Sequence, residues 1–339
     1  MKNTNLILLA ILAVLGSATA WYFLKDKQTN ISGYDFHFAV SDTANVFKIF
    51  IADREGKSVT LTRLNASDWQ VNGKYKARAD VKNNLLETIA RVELMYRLPR
   101  NAVAPVVKDV ASNGIKVEIY AKNGKKVKAY YVGGVNLDET GTNMMMEDAN
   151  EPYVVHMPSF QGGLRVRYFT EEMDWRDRMI FTYTPEEIKS VSIEYPLQKS
   201  HSFKISKSGK DYKVEPFYDL TPRINALPAK GLVETFLTGF RRLGAEGFEN
   251  GDSRTDSIRA TVPFAVISLN TEGGVSKVLK LHPIVPRNAD GSLIQSVEGK
   301  VELEKYYAET ETGDLLLIQH QLFEKIFWAY EAFFKQEKH

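Results

Sequence analysis

Short alternating stretches of apolar and polar residues dominate the chain, and stretches of helical spacing separate them. "VFKIFIAD" (Val46–Asp53) and "SVTLTRL" (Ser58–Leu64) alternate on either side of Arg54-Glu55-Gly56-Lys57, the pattern of a β-hairpin. "YDFHFAV", residues 34–40, alternates ahead of them, and Trp69 opens a third strand that Asn72-Gly73 ends. Asp80 is a candidate helix cap, because its carboxylate can accept backbone N–H bonds. Val81, Leu85, Ile89, Val92 and Tyr96 then recur at helical spacing as one apolar stripe, which Pro99 stops. "IKVEIYA" and "KVKAYYVGG" predict another hairpin, and "PYVVHMP" a further strand.

The second half repeats this order. "IKSVSIEYP", "SFKIS" and "YKVEP" are three strands. Leu232, Val233, Phe236, Leu237, Phe240 and Leu243 form a helix stripe, with Gly244 at its C-terminal cap. "FAVISLN" and "SKVLKLHPI" are a hairpin around Thr271-Glu272-Gly273-Gly274, and "LLLIQ" answers "YVVHM". A closing helix over 319–334 carries Leu322, Ile326, Phe327, Tyr330 and Phe333. The expected class is α+β: two tandem related modules of antiparallel β-hairpins, each with a packed helix, at 34–180 and 184–339. The segments 46–158 and 188–318 are expected to superpose.

The N-terminus adds a compartment. Leu6–Leu24 carries no charge and follows Lys2. As a helix it spans about 28 Å, close to a hydrocarbon core of about 30 Å. Trp21 and Tyr22 fall where an interfacial aromatic belt would lie, and Lys25-Asp26-Lys27 follows. Residues 1–27 therefore read as a transmembrane anchor, with the N-terminus in the cytoplasm and the bulk of the chain in the periplasm. Ala18-Thr19-Ala20 leaves a rival open, a cleaved signal peptide. The uncharged run continues past that site to Leu24, which suits an anchor better. The 339 residues contain no cysteine, which removes disulfides, thiolate metal sites, a cysteine nucleophile and a lipidated cysteine. Lys plus Arg is 44 against 42 for Asp plus Glu, and the signs are well mixed, so no nucleic-acid partner is expected. Lys122, Lys125, Lys126 and Lys128 surround Asn123-Gly124 and read as a solvated turn.

"FKIFIADREGKSVTLTRLNASDWQVNGKYKAR", "YYVGG", "EPYVVHMPSFQGG", "RYF" and "DWRDRMIF" together resemble a family of domains of unknown function, the one numbered four-three-four-zero. The resemblance runs well over 36–214 and weakly beyond. It implies a membrane-anchored envelope protein, some members of which accompany gliding-type ABC transporters, and it implies no chemistry.

The sharpest local feature is "DWRDR": Asp174, Trp175, Arg176, Asp177 and Arg178. Two arginines beside two carboxylates can grip an anionic ligand. The same residues suit a junction between modules, with Trp175 packed and Arg176 and Asp177 in ion pairs. "TPEE", Thr184–Glu187, fits a capping box and reads as a helical turn. No two of His37, His156, His201, His282, His320 and His339 are three or four residues apart, so no metal and no cofactor is expected. Met144-Met145-Met146 read as cover for an apolar surface, with no soft-metal ligand beside them. Nucleophile-elbow, P-loop and dinucleotide motifs are absent, and Gly133-Gly134, Gly162-Gly163 and Gly273-Gly274 read as turns. A carboxylate pair assembled in space stays open. The reading chosen is an anchored, non-catalytic envelope module that binds an envelope protein partner, such as a component of an ABC-type transporter. The alternatives are an envelope hydrolase acting on glycan or peptide, and a solute- or glycan-binding module.

Overall fold

The computed structural model describes residues 36–209, 211–286, 288, 290, 292 and 302–334. The apolar run Leu6–Leu24 lies outside them; no helix among the described residues is long and apolar enough to cross a membrane. The protein is α+β with antiparallel sheets, and it divides into two compact units between Asp177 and Arg178.

The first unit runs β1 (Val46–Ala52), β2 (Ser58–Arg63), β3 (Trp69–Val71), β4 (Tyr75–Lys76), α1 (Ala79–Arg91), β5 (Glu93–Arg97), α2 (Arg100–Asn113), β6 (Ile115–Ala121), β7 (Lys126–Val135), β8 (Thr142–Met146), β9 (Tyr153–His156) and α3 (Glu172–Trp175). Its sheet has the order β4-β3-β2-β1-β6-β7-β8-β9-β5. Alternation decides which face is dry: Ile49, Ile51, Val59, Leu61, Val117, Ile119, Tyr130 and Val132 are all buried. The stripe of α1, Val81, Leu85 and Ile89, closes that face together with Phe38, Trp69 and Trp175. Asn72 and Gly73, at φ 50° and 68°, make the left-handed turn between β3 and β4.

The second unit runs β10 (Met179–Phe181), β11 (Ile188–Glu194), β12 (Phe203–Ser208), β13 (Asp211–Pro216), α4 (Lys230–Thr238), β14 (Leu243–Gly244), β15 (Gly247–Phe248), α5 (Thr255–Arg259), β16 (Ala265–Thr271), β17 (Ser276–Pro283), β18 (Lys305–Thr310), β19 (Leu315–Gln319) and α6 (His320–Phe323). The large sheet has the order β13-β12-β11-β16-β17-β18-β19-β15, and β10 pairs with β14. Its core is aromatic. Phe236 on α4 meets Phe203, Phe240 and Phe333 at ring-centroid distances of 5.4, 5.5 and 5.3 Å.

With β4 set aside, the two large sheets have the same order of pairings. The central strand of each breaks register at the same place, between Val46 and Lys48 against β6 and between Ile188 and Ser190 against β16. Val117 faces Ile51 as Ile267 faces Ile193. Followed into the next strand, Val132 and Leu281 occupy matching positions, opposite Ile115 and Ala265. Gly133 and His282, each one residue further, therefore match as well.

Several expected elements are corrected. Phe36–Val40 is not a strand, although Phe38 is buried in the core. Asp80 does not cap α1. Arg78 holds the cap position, tied by its N–H to the Trp175 carbonyl (2.7 Å), and Asp80 accepts from Arg78 Nε (2.7 Å) inside the first turn. The apolar stripe stops being helical at Arg91, because Glu93–Arg97 pairs with β9 and carries Tyr96 into the sheet. Pro99 does not stop a helix but opens one, α2, where a missing N–H costs nothing. Gly133 and Gly134 lie inside β7, not in a turn. Thr142–Met146 is a strand, with Met144 and Met146 in the core. Gly244 pairs in β14 and does not cap α4. Thr184–Glu187 is one turn, in which the Thr184 N–H donates to Glu187 Oε2 (2.8 Å), and it leads straight into a strand. The closing helix is broken into α6 and two 3-10 turns, Glu324–Ile326 and Tyr330–Phe334. Phe323 takes the core position expected of Leu322, which is exposed.

Candidate functional site

The residues of "DWRDR" divide between the two units. Asp174 is half-buried in α3. Trp175 is fully buried in the first core, donates from Nε1 to the Phe169 carbonyl (3.0 Å) and meets the Phe169 ring edge-on at 5.8 Å. Arg176 is buried with its guanidinium 3.6 Å from the Tyr75 ring centroid, a cation–π contact sheltered from solvent. It also forms an isolated bridge to Ala77. The Asp177 N–H donates to the Lys76 carbonyl (2.8 Å), and its carboxylate lies 3.7 Å from Lys76 Nζ. Together 175–177 extend the β4 edge of the sheet. Arg178 belongs to the second unit. Its carbonyl accepts from the Ala245 N–H (2.8 Å), and its guanidinium donates to the Glu246 carbonyl.

Glu246 leads to a site that sequence reasoning missed. Where β18 and β19 end side by side, Lys305 faces Gln319, and the His320 N–H donates to the Glu304 carbonyl (2.7 Å). A cleft of about 630 Å³ opens there, lined by Glu302, Glu304, Lys305, Gln319, His320 and Gln321, with Leu303 as its apolar wall. Lys305 Nζ lies 2.9 Å from Glu246 Oε2, and Gln319 Nε2 donates to the same oxygen (3.4 Å). The Lys305 hydrogen bond, then that of Gln319, holds the Glu246 carboxyl below its ordinary range. Behind the lining, the Tyr306 hydroxyl is 2.8 Å from His320 Nδ1, and the two rings stack at 5.8 Å. Burial pushes the Tyr306 phenol up to about 12.

Comparison of the chain with family models, with curated proteins and with solved structures gives no match.

The other described histidines supply no shared centre. Among the described residues, no group of three or more His, Asp or Glu is placed to hold a metal ion. His282 is buried against Thr261, with Nδ1 2.9 Å from Thr261 Oγ1. Thr261 donates its own proton to the Ile258 carbonyl (2.7 Å), so it accepts from His282 Nδ1–H, and Nε2 is left as a buried acceptor with no partner among the described residues. No motif announces the cleft. Its residues come from the end of β18, the start of α6 and the approach to β15, and β18 itself went unread. The alternation of buried Tyr306 and Ala308 with half-buried Tyr307 and Glu309 was the one available signal for that strand.

Proposed function

We propose that this chain is a membrane-tethered, non-catalytic envelope module, built from two related sheet units, that binds an envelope protein partner such as a component of an ABC-type transporter. The uncharged run Leu6–Leu24 supports the tether. The shared order of pairings, with its register break at one matching place, supports the kinship of the two units.

The partner reading is carried by the loop between β13 and α4. It is fixed by the Ile224 N–H on Tyr330 Oη (3.1 Å) and the Ala229 N–H on the Phe333 carbonyl (2.9 Å). Yet Leu220 and Leu227 are 98% and 93% exposed on it. Large apolar side chains offered to water on an anchored loop suit a protein interface. The test is purification of the whole chain from alkali-washed membranes with whatever protein is stoichiometrically bound. The double variant Leu220→Asp, Leu227→Asp should lose that protein and keep its melting temperature. A soluble mature chain beginning at Trp21, or a partner kept by the variant, defeats the reading.

A further inference from the structure

We propose that the cleft at the paired ends of β18 and β19 binds a neutral, hydroxyl-rich ligand, a small saccharide. This is independent of the partner reading above, which concerns a different loop.

The hydrogen-bonding state of the cleft follows from its surroundings. The Tyr306 hydroxyl is buried, and its hydrogen-bond partner among the described residues is His320 Nδ1. The phenol keeps its proton at neutral pH, and this buried hydroxyl has Nδ1 as its one partner among the described residues, so it donates to Nδ1. The ring proton of His320 therefore sits on Nε2. Nε2 makes no hydrogen bond among the described residues, and the carboxylate it approaches, Glu324, is 3.9 Å away. His320 is thus a donor fixed in orientation, on a side chain that lines the cleft.

Charge then selects the ligand. Lys305, the cation of the lining, is already matched by Glu246. Glu302 and Glu304 remain, and they disfavour an anion. A simple cation would satisfy those carboxylates and could take the amide oxygens of Gln319 and Gln321, but it has no use for His320 Nε2–H or for the amide N–H groups. A hydroxyl both donates and accepts, so adjacent hydroxyls on one ring can meet a carboxylate and an N–H in turn. The volume lies within the range of small-ligand sites, roughly 300–1,000 Å³. Leu303 gives the apolar face of a sugar ring a place to rest.

The test is calorimetry and ¹⁵N-histidine NMR on the whole chain in detergent. The probes are neutral disaccharides (maltose, cellobiose, chitobiose), with glucuronate as the anionic control and spermidine as the cationic one. A neutral disaccharide should bind and move the His320 Nε2 resonance. His320→Ala and Glu304→Gln should each weaken binding about tenfold, the loss of one good hydrogen bond, at unchanged melting temperature. Tyr306→Phe should redistribute the His320 tautomers, seen directly in the ¹⁵N shifts. The proposal fails if no neutral saccharide binds, if either charged control binds more tightly, or if both variants bind like the parent.

Discussion

At one matching position the two sheets carry very different residues. In the first unit it is Gly133, and α2 lies so close to β7 that a Cβ there would meet Val110 Cγ2 at 2.8 Å and the Asn143 carbonyl oxygen at 3.1 Å. In the second it is His282, a buried imidazole that hydrogen-bonds Thr261, two residues past the end of α5. The cover changes with it: α2 has fourteen residues and α5 has five. One pattern of strand pairing thus carries two kinds of outer cover, and at this position the residue beneath differs in size with it. On the inner face the contrast is of another kind. Two tryptophans, three tyrosines, Phe38 and three methionines stand among the aliphatic side chains of the first core, and six phenylalanines stand among those of the second.

The inner faces should give the largest effects. Trp175 and Phe236 are each fully buried, one per core. Trp175→Ala and Phe236→Ala should each cost about 3–5 kcal/mol. If each unit keeps its own core, hydrogen exchange should quicken in β1 and β6 for the first variant and in β11 and β16 for the second. Equal loss of protection in both sheets from either substitution would mean that the cores unfold as one, and the comparison would lose its basis.

A smaller effect isolates the outer cover. Gly133→Val should cost about 1–3 kcal/mol, because the branched side chain must displace Val110 or the β8 backbone. The site is strand with ordinary negative φ, so the cost is steric and not conformational. The amides of α2 should lose protection first. A variant as stable as the parent would show that α2 can lift from β7 freely, and glycine there would then have no packing role.

The pattern of legibility in the sequence has a physical basis. Strands that alternate and face the core, β1, β2, β6 and β16 among them, were readable because burial enforces a period. The interval Val92–Tyr96 misled because its spacing suits a helix while pairing with β9 takes the backbone into the sheet. β8 hid because most of its residues, Thr142, Asn143, Met144 and Met146, are buried, and a strand wet on neither face does not alternate. "DWRDR" stood out by composition, and the structure gives Trp175 and Arg176 places against neighbouring rings. The cleft was silent because its chemistry is brought together only when two strands end in register.

The smallest effect comes from His282 and appears only on acidification. Burial pulls its pKa below the usual histidine value. The groups acting on it are Glu309 on β18, which favours the charged ring, and Lys280 on β17 and Arg259 on α5, which oppose it. In the unfolded chain the ring takes its proton as pH falls through about 6.5. In the folded chain it does so only at lower pH. The unfolded state therefore binds more protons in that window, and stability that is full above about 6.5 drains away as pH falls from there toward the folded ring's own value. The matching position in the first sheet is a glycine and cannot titrate. Thermal unfolding at pH about 7.5 and about 5.5, for the parent and for His282→Leu, separates this contribution from that of the carboxylates. The parent should lose more melting temperature than the variant over that interval. The excess should come from the second unit, seen as faster exchange under α5. An equal loss in both proteins would mean that the buried ring takes its proton as easily as a free one, and the contrast between the two covers would then be one of shape alone.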